Sequence, residues 1–196
     1  MMRWHIINSL INKFNYKDYL EIGIQNGVCF EQINIQNKEG VDVDNRYKHL
    51  TYHMSSDDFF KKHFKTYDII FIDGNHEEEF ATKDIDNALQ VLNIGGTIVC
   101  HDCIPIDERM LHWGKHSNYT GTVYRSFIKA RQKYNDLNMH VIDTDFGVGI
   151  ITTAYNNFNK PLTMNIDDLS FNRFVKDKNT LLNVITPKDF DNFIAK

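Results

Sequence analysis

Hydrophobic positions divide the chain into alternating helical and extended segments. Trp4, Ile7, Leu10, Ile11 and Phe14 recur at a spacing that puts them on one face of a helix, which is expected to cover the edge of a sheet. Tyr19-Leu20-Glu21-Ile22-Gly23-Ile24 has the length and apolarity of a short buried strand. Asn26-Gly27 breaks it, and a helical stretch runs on through Phe30 and Ile33. Gly40-Val41-Asp42-Val43-Asp44 predicts a second strand, and Asp57-Asp58-Phe59-Phe60 opens a helix that Ser55 or Ser56 can cap. The continuous apolar run Tyr67-Asp68-Ile69-Ile70-Phe71-Ile72-Asp73 suits a strand buried on both faces, and so a central one. Asn75 with Glu78 makes a capping-box-like pair, predicting a helix from Asn75 with Phe80, Ala81, Ile85, Ala88, Leu89 and Leu92 on its buried side. Gly95-Gly96 ends the connection to the next strand, which closes at Cys100.

Residues 103–120 are polar and irregular, the kind of long loop that often covers an active site, and they lead to a helix through Val123, Phe127, Ile128 and Ala130. Met139-His140-Val141-Ile142-Asp143 and Gly147-Val148-Gly149-Ile150-Ile151 are close enough in sequence to be antiparallel neighbours. Pro187 suits the first position of a last helix ending near Ile194. The fold class is therefore α/β: a doubly wound, mostly parallel sheet carrying an antiparallel strand near the C-terminus. At 196 residues and 42% apolar content the chain supports one domain, with an N-terminal helix over 1–17, a core over 18–153 and an extension over 154–196.

Charge and cysteine usage narrow the function classes. A net charge of -4 argues against a nucleic-acid partner, and no apolar run approaches the roughly 20 residues of a membrane helix, so a cytoplasmic protein is expected. Three cysteines make no disulfide framework. Cys100-His101-Asp102-Cys103 has C-x-x-C spacing, but a zinc or redox site needs a second ligand pair or a thioredoxin-like helix start, and Cys100 instead ends an apolar run. Homo-oligomerisation is left open.

Gly23 and Gly27 bracket a tight strand-to-helix turn, where the backbone can approach a ligand. Asp42 ends the next strand about 20 residues on, where a carboxylate accepts hydrogen bonds from ribose hydroxyls. The dinucleotide spacing G-x-G-x-x-G is absent, and Glu21 is negative where a pyrophosphate would dock. S-adenosylmethionine, with a sulfonium, an ammonium and no phosphate, suits an acidic strand end better. The plainer alternative is that Glu21 pairs with Lys17 and the glycines only turn the chain.

Tyr19-Leu-Glu-Ile-Gly-Ile-Gln-Asn-Gly27 resembles motif I of class I S-adenosylmethionine-dependent methyltransferases, and Gly40-Val-Asp-Val-Asp44 resembles their ribose-binding strand. Ser56-Asp57-Asp58-Phe59-Phe60, Phe71-Ile-Asp-Gly-Asn-His76, Gly95-Gly96 with Val99-Cys-His-Asp-Cys103, and Asp143-Thr-Asp-Phe-Gly-Val-Gly149 are similar to a small subgroup met in glycan-modifying gene clusters. The resemblance runs from about residue 18 to 151. It implies a Rossmann-like seven-stranded sheet, a donor site built from Glu21, Gly23, Gln25, Gly27, Asp42 and Asp73, and Asp57 near the adenine.

Asp73-Gly74-Asn75-His76 follows the central strand and His101-Asp102 ends the next, so all four side chains can converge where doubly wound sheets bind ligands. Methyl transfer needs alignment of acceptor and sulfonium and a base for the acceptor proton, usually histidine. Metal-dependent sugar O-methyltransferases of macrolide biosynthesis resemble this arrangement. Carried over, Asp73, His101 and Asp102 would hold a divalent cation and His76 would act as base, with Asp73 and Asp102 in the catalytic set. His101 stands where those enzymes have a carboxylate, which moves preference from magnesium toward manganese, iron or zinc without excluding magnesium. The implied acceptor is a hydroxyl of a sugar, glycan or other small polar molecule. Two alternatives stay open: a non-haem iron oxygenase using His76, His101 and one aspartate, and a non-catalytic nucleotide-binding protein. His112 and His116 have helix-ligand spacing but fall in a loop-like stretch and are expected to be exposed.

Overall fold

A computed structural model describes residues 1–158, 160–162 and 168–196. Its elements, in chain order, are α1 (Arg3–Phe14), β1 (Asp18–Ile22), α2 (Val28–Gln32), β2 (Asn37–Asp42), β3 (Tyr52–His53), α3 (Ser56–Lys62), β4 (Tyr67–Ile72) and α4 (Glu78–Gln90). Then follow β5 (Leu92–Cys100), α5 (Val123–Lys133), β6 (Asn138–Ile142), β7 (Val148–Thr152), α6 (Phe171–Leu181), β8 (Val184–Ile185) and α7 (Pro187–Ile194). The strands form one sheet in the order β3-β2-β1-β4-β5-β7-β6-β8. Pairing is parallel from β3 through β5 and between β6 and β8; β7 runs antiparallel to both β5 and β6. The expected α/β sheet and its terminal antiparallel pair are both present. Eight strands occur among the described residues rather than seven, and two of them, β3 and β8, are only two residues long, too short for a periodic signal.

Strand alternation sends side chains to two helical layers. Ile70, Ile72, Ile98 and Cys100 pack with Phe59 of α3, Ile85 and Ala88 of α4, Phe127 of α5 and Phe174 of α6. Ile69, Phe71, Val99 and Ile150 pack on the other face with Ile6, Ile7 and Leu10 of α1, Phe30 of α2 and Phe190 of α7. Both faces of β4 are thus covered, which is why its sequence is apolar without interruption. The helix α1 lies over these central strands and not over the sheet edge, a correction that follows from its four buried residues packing with Phe71 and Val99. No helix among the described residues is long and apolar enough to cross a membrane.

Register brings the carboxyl ends of four strands level. Ile22 pairs with Val41 on one side and Ile72 on the other, and Ile72 pairs with Cys100. The ladder continues one residue further: Gly23 N–H donates to Val41 O (2.9 Å), Asp73 N–H to Ile22 O (2.8 Å) and His101 N–H to Ile72 O (3.0 Å). Gly23, Asp42, Asp73 and His101 therefore leave the sheet along one edge.

Two further boundaries differ from expectation. α4 begins at Glu78, not Asn75: Asn75 Oδ1 accepts from Glu77 N–H (3.0 Å), and the hydroxyl of Thr122 caps Glu78 N–H (2.7 Å). Phe80, assigned to the buried side, is 42% exposed. β5 starts at Leu92 and includes Gly95-Gly96, with a register shift opposite Tyr67 and Ile69. In the extension, α7 starts at Pro187 as expected, with Thr186 as its cap, while α6 had no clear periodic signal.

His140 on β6 is fully buried against the rings of Tyr155 and Phe158, and burial, with the charge of Arg131, depresses its pKa to about 3. The unfolded chain protonates this ring near its ordinary value of 6.5, so the contribution is complete above that pH and is lost as pH falls toward 3. Thermal melts from pH 7.5 down to 4.5 should show a shallower acid decline for His140→Leu than for the wild type; parallel curves would contradict this assignment.

Candidate active site

The glycine turn after β1 is fixed by contacts that leave no room for side chains. Gly23 has φ +88°, and a Cβ there would overlap the carbonyl oxygen of Asp73. Gly27 has φ +83°, and a Cβ would run into the ring of Tyr47. Between them Gln25 is also left-handed (φ 54°), and its N–H donates to Asp42 Oδ2 at 2.6 Å. The other Asp42 oxygen accepts from Asp44 N–H at 2.7 Å, so the half-buried carboxylate is oriented at the strand end with lone pairs to spare. Asp57 lies in the first turn of α3, half-buried, below the cap made by Ser55 on Asp58 N–H (3.1 Å). Behind it sits Asp84 of α4, 2% exposed, whose carboxyl burial pushes up to about 6 despite a hydrogen bond with Ser56. This buried acid was not singled out in sequence, because it falls among the apolar positions of an amphipathic helix.

Glu21 lies beneath this turn. It is 1% exposed, accepts the hydroxyl of Tyr19, and is driven by burial to a pKa of about 8. Lys17 donates to Asn15 and does not pair with it.

Asp73, His76, His101 and Asp102 converge beyond β4 and β5. His76 Nε2 is 3.4 Å from Asp73 Oδ1, and its Nδ1 is 3.4 Å from Asp102 Oδ2. His101 Nδ1 is 3.4 Å from Asp73 Oδ1 and 3.3 Å from Asp102 Oδ1. Asp102 holds its place with a left-handed backbone (φ 59°). Two residues that sequence reasoning did not mark complete the cluster. Arg3 Nη1 pairs with Asp145 Oδ2 at 3.0 Å and lies 3.2 Å from His101 Nε2, while Arg3 Nε is 3.8 Å from Asp73 Oδ2. Asp145 sits in the tight turn between β6 and β7 (φ 47°) and also faces His101 Nε2 at 3.6 Å.

Burial alone would raise the carboxyls and lower the imidazoles; their mutual charges reverse both tendencies. Burial pushes Asp73 up, but His101 and His76 hold it well below the usual carboxylate range. Asp145, similarly opposed by burial, is brought to about 2 by His101 and Arg3. Burial lowers both histidines, yet Asp73 and Asp102 raise His76 above its ordinary value and His101 well above it.

His76 is clamped by the loop before α5. Its Nδ1 is 3.0 Å from Tyr119 O; a carbonyl only accepts, so Nδ1 carries the hydrogen and, in the neutral ring, Nε2 carries the lone pair. The Tyr119 ring stacks on the imidazole at 5.4 Å, Thr122 N–H donates to His76 O at 2.7 Å, and Gly121 packs so close that a Cβ would overlap His76.

Metal-ligating potential is present. One ligand atom each of Asp73, His76 and Asp102 lie within 4.8 Å of one another. His101 Nδ1 is buried, faces two carboxylate oxygens and makes no hydrogen bond, as a donor atom for a cation would. Cys100 and Cys103 are buried thiols raised by burial, directed into the apolar core, and neither belongs to this group. His112 is exposed and His116 half-exposed, its Nδ1 accepting from Asn118 N–H (3.0 Å).

Residues 32–103 match the family model described as a methyltransferase domain. No curated protein matches the sequence. Among solved structures the chain is similar to the O-methyltransferase from Bacillus cereus in complex with SAH, at 12% identity and TM-score 0.55, over 76% of this chain and 80% of that one. It is also similar to the O-methyltransferase TomG from Streptomyces achromogenes, involved in tomaymycin synthesis and in complex with SAM, at 12% identity and TM-score 0.56, over 75% and 78% of the two chains. The MycE methyltransferase from the mycinamycin biosynthetic pathway, in complex with Mg, SAH and mycinamycin VI, aligns at 14% identity and TM-score 0.50; 82% of this chain covers 51% of that one. The shared feature is the class I methyltransferase fold.

The buried Glu21 gives a prediction of opposite sign to that for His140. A carboxyl held at about 8 in the folded state and near 4.5 in the unfolded one contributes fully below pH 4.5, and that contribution is lost as pH rises through 8. In the ligand-free protein, Glu21→Gln should therefore melt progressively higher than the wild type between pH 5 and about 8. A stability difference that does not change with pH would show that Glu21 is ionised where it stands.

Proposed function

We propose that this chain, which has the class I methyltransferase fold, transfers the methyl group of S-adenosylmethionine to a hydroxyl of a sugar, glycan or other small polar acceptor. The observation that carries the proposal is the convergence of Asp73, His76, His101 and Asp102 beyond β4 and β5, directly against the glycine turn. Gly23, Gln25 and Gly27 shape the turn that would receive the donor, with Asp42 for its ribose, Asp57 for its adenine, and Glu21 supporting the turn from below. The donor supplies an electrophilic methyl on a sulfonium. The protein must hold an acceptor oxygen in line with it and remove that oxygen's proton. His76 suits the second of these requirements. Tyr119 fixes its tautomer and leaves the lone pair on Nε2, 3.4 Å from Asp73 Oδ1, and Asp73 and Asp102 would stabilise the imidazolium once the proton is taken.

A divalent cation, magnesium or manganese, fits the donor atoms present. Asp73, Asp102 and the orphaned Nδ1 of His101 would hold it, leaving His76 as base. Bound there, it would lower the pKa of a hydroxyl coordinated to it. The Mg in the MycE complex supports this reading.

A sugar acceptor is favoured by the surface next to His76. Trp113 is 82% exposed and meets Tyr119 edge-on at 5.3 Å, while Tyr119 stacks on His76. An open indole beside carboxylates offers an apolar face for sugar C–H groups and acceptors for hydroxyls.

Calorimetry with S-adenosylmethionine and S-adenosylhomocysteine is the primary test, and absence of binding by either sinks the donor assignment. His76→Ala should leave S-adenosylhomocysteine affinity unchanged while reducing methyl transfer about 100-fold or more, the usual range for loss of a general base. Full activity would end that role. Manganese calorimetry on the donor-loaded protein should give binding that Asp102→Asn removes; no heat in the wild type would remove the cation and leave His76 as base.

A further inference from the structure

The loop before α5 displays one aromatic ring beyond the histidine. Trp113 sits at the apex of a closed turn: Lys115 N–H donates to His112 O at 3.1 Å, and Gly114 takes the left-handed backbone (φ +73°) that the third position of a type II turn requires. The turn is itself anchored. His112 N–H donates to Arg109 O at 3.2 Å, and Met110 O accepts from Thr120 and Gly121 on the returning side of the loop. A single exposed aromatic is ordinary on a protein surface. This one is 82% exposed and is held out by a hydrogen-bonded frame.

The indole does not meet the imidazole. It touches Tyr119 edge-on at 5.3 Å, and Tyr119 in turn stacks on His76 at 5.4 Å; among the described residues no ring contact joins Trp113 to His76. His76 directs Nδ1 to Tyr119 O (3.0 Å) and holds Nε2 beside Asp73 (3.4 Å). A sugar laid on the indole is therefore one aromatic ring removed from the imidazole, and it is not the unit whose hydroxyl meets Nε2. Tyr119 also brings a polar edge to this surface: its hydroxyl donates to the exposed Glu77 at 2.6 Å, and that carboxylate keeps lone pairs for sugar hydroxyls. Resting on the sugar-hydroxyl reading above, we propose that the acceptor is a neutral chain of two or more sugar units, with the reacting unit at His76 and the next unit stacked on Trp113. The indole supplies a flat apolar face for the C–H groups of that second unit. Neutrality follows from the acids, since a uronate or phosphorylated unit would stand among Asp73, Asp102 and Glu77, and like charges so placed reject a partner.

An array of single sugars and linear oligosaccharides, neutral and acidic, probed with the protein loaded with S-adenosylhomocysteine, should show neutral chains bound more tightly than their single units. The chain has two tryptophans, and Trp4 is half-buried, so Trp4→Phe leaves Trp113 as the sole indole. In that variant the tightest-binding oligosaccharide should shift the emission to shorter wavelength and protect it from acrylamide quenching. Trp113→Ala should weaken the same oligosaccharide about tenfold, the scale of one lost aromatic contact, while S-adenosylhomocysteine and the single sugar stay within about twofold; Trp113→Phe should recover part of the loss. Single units bound as tightly as chains, chains indifferent to Trp113→Ala, an emission that does not move, or a preference for acidic chains overturns the proposal. Binding of S-adenosylhomocysteine with no sugar bound anywhere on the array removes the sugar acceptor and this inference with it. Failure to bind S-adenosylhomocysteine removes the donor assignment, and with it the reading on which the inference rests.

Discussion

Three carboxylates, those of Asp73, Asp102 and Asp145, stand at the ends of β4 and β5 and in the β6–β7 turn with side chains 17%, 6% and 5% exposed. Like charges at this burial repel strongly, and each costs several kcal/mol to remove from water unless paired. The compensation comes from Arg3, His76 and His101, and much of the architecture around the site follows from supplying it. Arg3 can reach Asp145 and Asp73 only if α1 crosses the central strands, which is where Ile6, Ile7 and Leu10 find their apolar partners. Apolar burial and ion pairing therefore select the same helix position. The left-handed backbones of Asp102 and Asp145 aim their carboxylates at the two imidazoles, strain of order 1–3 kcal/mol each that the pairing offsets.

The glycine turn and the acid cluster are one rigid unit. Gly23 rests directly on the backbone of Asp73, and the ladder bond from Asp73 N–H to Ile22 O ties the two strand ends together. A side chain at position 23 would part them. Alignment for in-line transfer tolerates little displacement, so on the proposed reading this contact bears on rate as well as on stability.

What could be read in the sequence divides along the range of the interactions involved. β4 and its neighbours were legible because burial on both faces leaves an uninterrupted apolar run, and Asp73, His76, His101 and Asp102 were legible because strand ends mark themselves. The start of α4 was not, since its cap comes from Thr122, 44 residues away. The pairing of Arg3 with Asp145 was hidden for the same reason: Asp145 stood out only as part of a motif, its partner is 142 residues away, and an isolated arginine in a first helical turn carries no local signal. Glu21 was legible as an acid at a strand end, but strand alternation that turns it under the glycines, beside Tyr19, shows only in three dimensions.

His76 is tied to this rigid frame through the loop that precedes α5. Met110 is fully buried and its carbonyl accepts from both Thr120 N–H and Gly121 N–H, at 3.0 and 3.1 Å, so the far end of the loop is pinned where Tyr119 meets the imidazole. Trp113 projects from the span between those anchors. On the proposed reading, the surface that would receive the acceptor and the base that would deprotonate it are held by the same few backbone bonds. Sequence change between residues 111 and 118 can reshape the proposed acceptor surface while Tyr119, Gly121 and Thr122 keep the imidazole in place. Change at those three positions moves the imidazole itself. On the proposed roles, the boundary between specificity and catalysis in this loop would fall at Tyr119, whose ring meets Trp113 and whose carbonyl holds the imidazole.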